Sequence, residues 1–187
     1  SEKLFEIDKI KVDDETLRLW FIEDHIIYRS RRKRPHRQWR QRKACFGEMI
    51  QMDGSHHDWF EGRDKPCVFM GYIDDATGNP FGRFHDYEGT LPAMASFRCY
   101  IEKYGIPLSL YLDKHSTYKV NQKRSIKDEL NDTDPLSQFT RAVKELGVNV
   151  IHADSPQAKG RIERLFGTFQ DRLIKEMRLK GIKSIEE

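Results

Sequence analysis

The sequence predicts an α/β fold, a five-stranded mixed sheet with flanking helices, preceded by a helical segment and a basic arm. Three observations predict it. Short apolar runs bounded by turn residues open the main domain, strand and helix patterns alternate in its second half, and a window dense in bases separates it from an earlier amphipathic stretch. With 187 residues the chain is long enough for one domain with a real core and an appendage.

Residues 12–28 read as a helix capped by Asp13 or Asp14, with Leu17, Trp20, Phe21, Ile26 and Ile27 as its apolar stripe. The chain starts at Ser1, not Met, and is expected to be an excerpt of something longer. Residues 29–43 then hold nine Lys or Arg and no acid, and Pro35 breaks any continuous helix there. The remaining 24 bases face all 30 acids, so a net charge of only +3 conceals a strongly basic arm beside an acidic remainder. That asymmetry suggests phosphate contacts by Arg31, Arg32, Lys33, Arg34, Arg37, Arg40, Arg42 and Lys43, with a solvated charge run as the plainer alternative.

Residues 49–53 and 66–73 have strand patterns, 74–79 have turn chemistry and 81–87 form a third strand, which makes an antiparallel meander. Thr90 is expected to cap a helix reaching Tyr104, with Leu91, Met94, Phe97, Ile101 and Tyr104 on one face and Gly105 as its stop. Residues 106–113 form the fourth strand. The polar stretch 114–133 reads as a mobile loop. A helix follows from Asp134 and Pro135 with Leu136, Phe139, Val143 and Leu146 as its stripe and Gly147 as its end, then a fifth strand at 148–152. Ser155 and Pro156 open the last helix, which carries Ile162, Leu165, Phe166, Phe169, Leu173 and Met177. The order is β-β-β-α-β-α-β-α with parallel crossovers in its second half, which is the order of the ribonuclease H-like fold. The expected divisions are residues 1–28, a helical segment that is either the last helix of a helix-turn-helix or a bundle fragment; 29–46, the linker arm; and 47–187, the core.

In open α/β sheets chemistry gathers at strand ends, where Asp53 is expected to close the first strand and Asp113 the fourth. Leu108, Leu110 and Leu112 share one side of that fourth strand, in a pattern that fits burial. Glu163 lies on the border between the apolar and basic faces of the last helix, with Gly160 and Gly167 a turn to either side. Three converging carboxylates repel one another unless a cation joins them. Magnesium suits hard oxygen ligands, and two ions roughly 3.5–4 Å apart would activate a nucleophile and stabilise the leaving oxygen of a phosphodiester. Asp74 and Asp75 are equally acidic but fall in a turn and are assigned to structure. Lys159, Arg161 and Arg164 are the candidate DNA contacts on the same helix, with offsetting the charge of Glu163 as the plainer role for Lys159.

Four segments carry a family resemblance: Met52-Asp53-Gly-Ser-His-His-Asp-Trp-Phe-Glu-Gly-Arg63, Tyr72-Ile-Asp-Asp-Ala-Thr-Gly78, Tyr111-Leu-Asp113-Lys-His-Ser-Thr117 and Ser155-Pro-Gln-Ala-Lys-Gly-Arg-Ile-Glu163-Arg. Together they resemble the integrase catalytic core of DDE transposases, specifically the ISNCY-type insertion-sequence group, over residues 47–180. The resemblance implies a ribonuclease H-like core and magnesium, with manganese as a substitute. It also implies DNA cleavage and strand transfer, with Asp53, Asp113 and Glu163 matching the catalytic and metal-binding triad. A helix-turn-helix region before the core, a further domain after it and a homo-oligomer on DNA are expected on the same basis. The 49 residues between Asp113 and Glu163 exceed the retroviral-type spacing, the surplus lying in the 114–133 loop.

Other signals are weaker. His56, His57 and Asp58 lack a second ligand group at zinc spacing, which leaves local structure or substrate contact; His115 beside Asp113 is either a loop histidine or a phosphate contact. Cys45, Cys67 and Cys99 have no pairing pattern and read as plain thiols. No apolar run approaches bilayer length and no signal segment opens the chain, so a cytoplasmic, nucleoid-associated protein without membrane partner or small-molecule cofactor is expected. The rival reading is a DNA-binding regulator on an inactive integrase scaffold.

Overall fold

The computed structural model describes residues 1–26, 41–113, 115, 117–118, 135–153 and 159–187. The chain divides into two compact units, Ser1–Arg40 and Gln41–Glu187. In the first, α1 (Glu2–Asp8) and α2 (Asp14–Glu23) bury none of their residues. Asp13 caps α2 by accepting the Glu15 N–H, so the expected helix starts where its cap signal placed it. It turns at Asp24, earlier than expected, and α1 is an addition that its short, unburied sequence did not signal.

The second unit is built on a sheet ordered β3-β2-β1-β4-β5, from β1 (Ile50–His57), β2 (Cys67–Asp74), β3 (Pro80–His85), β4 (Ser109–Leu112) and β5 (Asn149–His152). Antiparallel pairing joins β1, β2 and β3, and parallel pairing joins β1 to β4 and β4 to β5. This is the ribonuclease H-like arrangement predicted from the element order. Helices α3 (Thr90–Tyr104) and α4 (Gln138–Glu145) follow β3 and precede β5, and α5 (Gly160–Leu179) closes the fold.

Both faces of the sheet are covered. Ile50, Met52, Val68, Met70, Tyr72, Leu110 and Leu112 face a core shared with Phe97, Tyr100, Phe139 and Val143 of α3 and α4. Cys67 and Phe69 face a second core with Trp59, Phe60 and the α5 residues Ile162, Phe166, Ile174 and Met177. Double coverage is why β2 reads as an almost unbroken apolar run. At roughly 1.5–3 kcal/mol for each fully buried large apolar side chain, this burial holds α5. Exposed pairs such as Arg178 with Glu61 at 2.7 Å contribute less than about 1 kcal/mol.

Several boundaries differ from expectation. Asp53 does not close β1, because antiparallel pairing to β2 carries the strand on to His57, opposite Cys67. Thr90 is the first residue of α3 and Gly89 its N-cap, with no side-chain capping bond. The buried stripe of α3 runs through Ala93, Ser96, Phe97 and Tyr100, while Leu91 is 70% exposed. Leu108 is likewise exposed, because β4 begins only at Ser109. In α4 the cap is Ser137, whose hydroxyl accepts the Thr140 N–H, and Leu136 and Leu146 are exposed at its ends. The loop expected at 114–133 and the Ser155-Pro156 helix start lie almost wholly outside the described residues. Among the described residues no helix is long and apolar enough to cross a membrane.

Candidate active site

β1 alternates between the two cores, so Gln51, Asp53 and Ser55 point to the side covered by α5. Each is matched by a polar group. Gln51 Nε2 donates to buried Asp75, which also holds the guanidinium of Arg161; Gln170 Nε2 donates to Ser55 Oγ at 3.2 Å. Between them, the ammonium of Lys159 lies 2.7 Å from Asp53 Oδ1 and 3.5 Å from Asp113 Oδ2. β1 and β4 run parallel with Gln51 opposite Tyr111; Asp53 lies two residues further along β1 and Asp113 just past the end of β4, and both reach the same ammonium. The two acids that sequence position singled out are therefore joined on one cation.

Lys159 is the N-cap of α5 and only 7% exposed, whereas the Asp53 and Asp113 side chains are 20% and 35% exposed. Burial pushes the Asp53 carboxyl above the ordinary aspartate range, Lys159 pulls it back, and the charges of Asp113 and Glu88 push it up again. Glu163 sits in the first turn of α5 and is exposed. Among the described residues no three His, Cys, Asp or Glu are close enough together to hold a metal, so Glu163 is not closed onto the aspartate pair in this conformation. The pair itself suits a hard divalent cation: two carboxylates at the rim of a buried position, already sharing one positive charge. An added Cβ would meet nothing within 4 Å at Gly160 or at Gly167, so the helix is open on either side of Glu163.

The chain is 39% identical over its whole length to putative transposase y4bF of Sinorhizobium fredii, of which it spans 40%. It is 38% identical over 79% of its length to the transposase for insertion sequence IS1202 of Streptococcus pneumoniae, of which it spans 31%. In sequence the chain resembles transposases. The fold rests on a match to the HTLV-2 integrase catalytic core domain, solved in complex with magnesium, with a TM-score of 0.53 and 16% identity over 71% of this chain and 73% of that one. No family model matches the chain. It spans less than half the length of either transposase.

Around the aspartate pair this transposase-like core places a residue that sequence reasoning missed. Glu88 precedes the N-cap of α3, is largely buried, and faces two histidines: His56 Nε2 donates to its Oε2 at 2.9 Å and His115 Nδ1 lies 3.7 Å from its Oε1. No local pattern signals it, because its partners are 32 and 27 residues away and meet it only across the sheet. Asp58 and Trp59 of the histidine-rich segment serve local structure. Asp58 accepts the Gly62 N–H in a turn, and the buried Trp59 donates from Nε1 to Ser55 O.

The expected DNA contacts divide sharply. Arg31, Arg32, Lys33, Arg34, Arg37 and Arg40 lie outside the described residues. Arg42 donates to Ala76 O, Lys43 pairs with Glu48 at 3.0 Å, and Arg164 is exposed. Arg161 and Lys159 are held by Asp75 and by the aspartate pair, so either side chain must leave an acid before it reaches a phosphate. Asp74 and Asp75 are structural acids: Asp74 accepts the Thr77 and Gly47 N–H groups, and Asp75 accepts that of Lys43. Cys45, Cys67 and Cys99 are free thiols.

Proposed function

We propose that the chain is the catalytic core of a DDE-type transposase, cutting phosphodiesters at transposon ends and joining the freed 3′-OH to target DNA. The observation that carries this reading is the meeting of Asp53 of β1 and Asp113, the residue just past the end of the neighbouring parallel β4, bridged by Lys159 one helical turn before Glu163. Similarity to two transposases and the integrase fold support it. Asp53, Asp113 and Glu163 are the residues that would hold magnesium, and a bound divalent ion supplies Lewis acidity and a water of lowered pKa. A pair of ions, manganese as a substitute, and a homo-oligomer on DNA belong to the same proposal.

The chain's own residues account for the rest. Asp53 and Asp113 would hold the divalent ion at the rim of the sheet, where the phosphodiester approaches, and Lys159 keeps their charges compensated until DNA arrives. Once a phosphate and its cations are present, the Lys159 ammonium has a second anion within reach and can move from carboxylate to backbone phosphate. Arg42, Lys43, Arg164 and the bases of residues 29–40 track the duplex electrostatically.

Lys159 also favours a second reading, a DNA-binding regulator on an inactive integrase scaffold, since an acid pair already satisfied by lysine needs no metal. Magnesium-dependent nicking of supercoiled plasmid, and joining of a labelled oligonucleotide into it, separate the two. The catalytic reading expects both reactions, with Asp113→Asn abolishing them while DNA affinity is kept. Joining that survives Asp113→Asn overturns the assignment.

A further inference from the structure

We propose that Glu88 is a positioning residue of the phosphodiester site, acting through His56 and His115 to hold the Asp113 carboxylate in place beside Asp53. The inference rests on the proposed catalytic reading of that pair. Its basis is a chain of contacts. Glu88 accepts a hydrogen bond from His56 Nε2 of β1 at 2.9 Å, and its Oε1 lies 3.7 Å from His115 Nδ1, a nitrogen that also meets the Thr117 hydroxyl at 3.2 Å, in the segment after β4. The His115 backbone N–H in turn donates to Asp113 Oδ1 at 2.9 Å. One carboxylate from the β3–α3 connection therefore reaches both β1, which carries Asp53, and the segment just past β4, which carries Asp113.

Two further observations mark the position as built. Gly54 lies directly under Glu88: a Cβ added at Gly54 would come 2.8 Å from both Cδ and Oε2 of the glutamate. Glycine beside Asp53 leaves the space in which the Glu88 carboxylate lies over β1. Secondly, Glu88 is 11% exposed while His56 and His115 are 67% and 45% exposed, so the acid is the fixed member and the imidazole edges lie at the surface where a DNA strand would approach. The segment on the far side of His115 is anchored as well: the Thr140 hydroxyl donates to Tyr118 O at 2.6 Å, and the Tyr118 N–H donates to His115 O at 2.9 Å. His115, whose N–H meets Asp113, thus has Glu88 on one side and the Tyr118 anchor on the other.

The test compares the full chain with Glu88→Ala, Glu88→Gln, His115→Ala and the Glu88→Ala/His115→Ala double variant. Steady-state nicking of supercoiled plasmid in magnesium is one readout, and calorimetric manganese affinity without DNA is the other. Glu88→Ala is expected to lower kcat and manganese affinity by about 10- to 100-fold, as removal of groups that orient metal ligands does, with KM for plasmid little changed. Glu88→Gln, which still accepts the His56 proton, is expected to recover most of both. The double variant is expected to be no worse than the poorer single, because the two residues act along one path. A Glu88→Ala variant that melts earlier but keeps kcat and manganese affinity overturns the inference, and so do multiplicative effects in the double variant. If Asp113→Asn abolishes nicking and Glu88→Ala leaves both readouts intact, the inference falls while the catalytic reading stands. If wild type nicks nothing yet Glu88→Ala loses manganese affinity and Glu88→Gln restores it, the positioning role holds and the catalytic reading falls.

Discussion

Lys159 turns two acids at a sheet rim into a compensated unit, and its removal has opposite consequences for the metal-free and metal-bound chain. Without the ammonium, Asp53 and Asp113 face each other unpaired, and Lys159→Met is expected to cost roughly 1–3 kcal/mol of metal-free stability, below the full cost of opening a buried pair because Asp113 is a third exposed. A unit charge some 4 Å away is worth roughly 4 kcal/mol at the effective dielectric of a protein. The same variant should therefore bind manganese about tenfold more tightly or better, measured by calorimetry, with added metal restoring its melting temperature. Equal or weaker binding would show that Lys159 helps build the cation site instead of competing for it. At this scale Asp53 and Asp113 were legible from their position after apolar runs, and Lys159 from its place one turn before Glu163. That one ammonium serves both acids was not legible, since it depends on where α5 crosses the sheet.

The helix that delivers Lys159 and Glu163 is set against the sheet by one close approach. Phe166 of α5 lies against Gly71 of β2, directly opposite Asp53 in the antiparallel register, and the Phe166 ring fills the space a Cβ would take. Gly71→Ala must push Phe166 outward and is expected to destabilise the core by about 1–3 kcal/mol in urea titrations. Because α5 would move with it, nicking should fall more steeply than stability explains; activity preserved alongside lowered stability would place the effect in packing alone. The stripe of α5 was readable at helical period through Ile162, Phe166 and Met177. That of α3 was read off its centre: Phe97 is buried and Met94, Ile101 and Tyr104 pack at the edge of the core as expected, but Ala93, Ser96 and Tyr100 lie deepest and Leu91 turns to solvent.

At the scale of the whole molecule, bases are concentrated in one arm while the rest of the chain carries 30 acids against 24 bases, and the arm's contribution is a matter of counterions. Replacing Arg31, Arg32, Lys33 and Arg34 with glutamine is expected to weaken duplex binding and to flatten the slope of log affinity against log salt by up to about 0.9 for each phosphate left without a neutralising side chain. Fluorescence anisotropy over a salt series measures it, and an unchanged slope would remove the arm from the DNA interface. Local patterns were enough for the strand and helix order, hence the ribonuclease H-like fold, and for the two aspartates, because apolar period and turn chemistry act over a few residues. Strand pairing and helix docking decided the rest: that β1 runs on past Asp53 beside β2, that Lys159 bridges the acids, and that Glu88 reaches His56 over Gly54. These contacts join residues tens of positions apart, and no local preference in the chain encodes a distance that exists only after the sheet has formed.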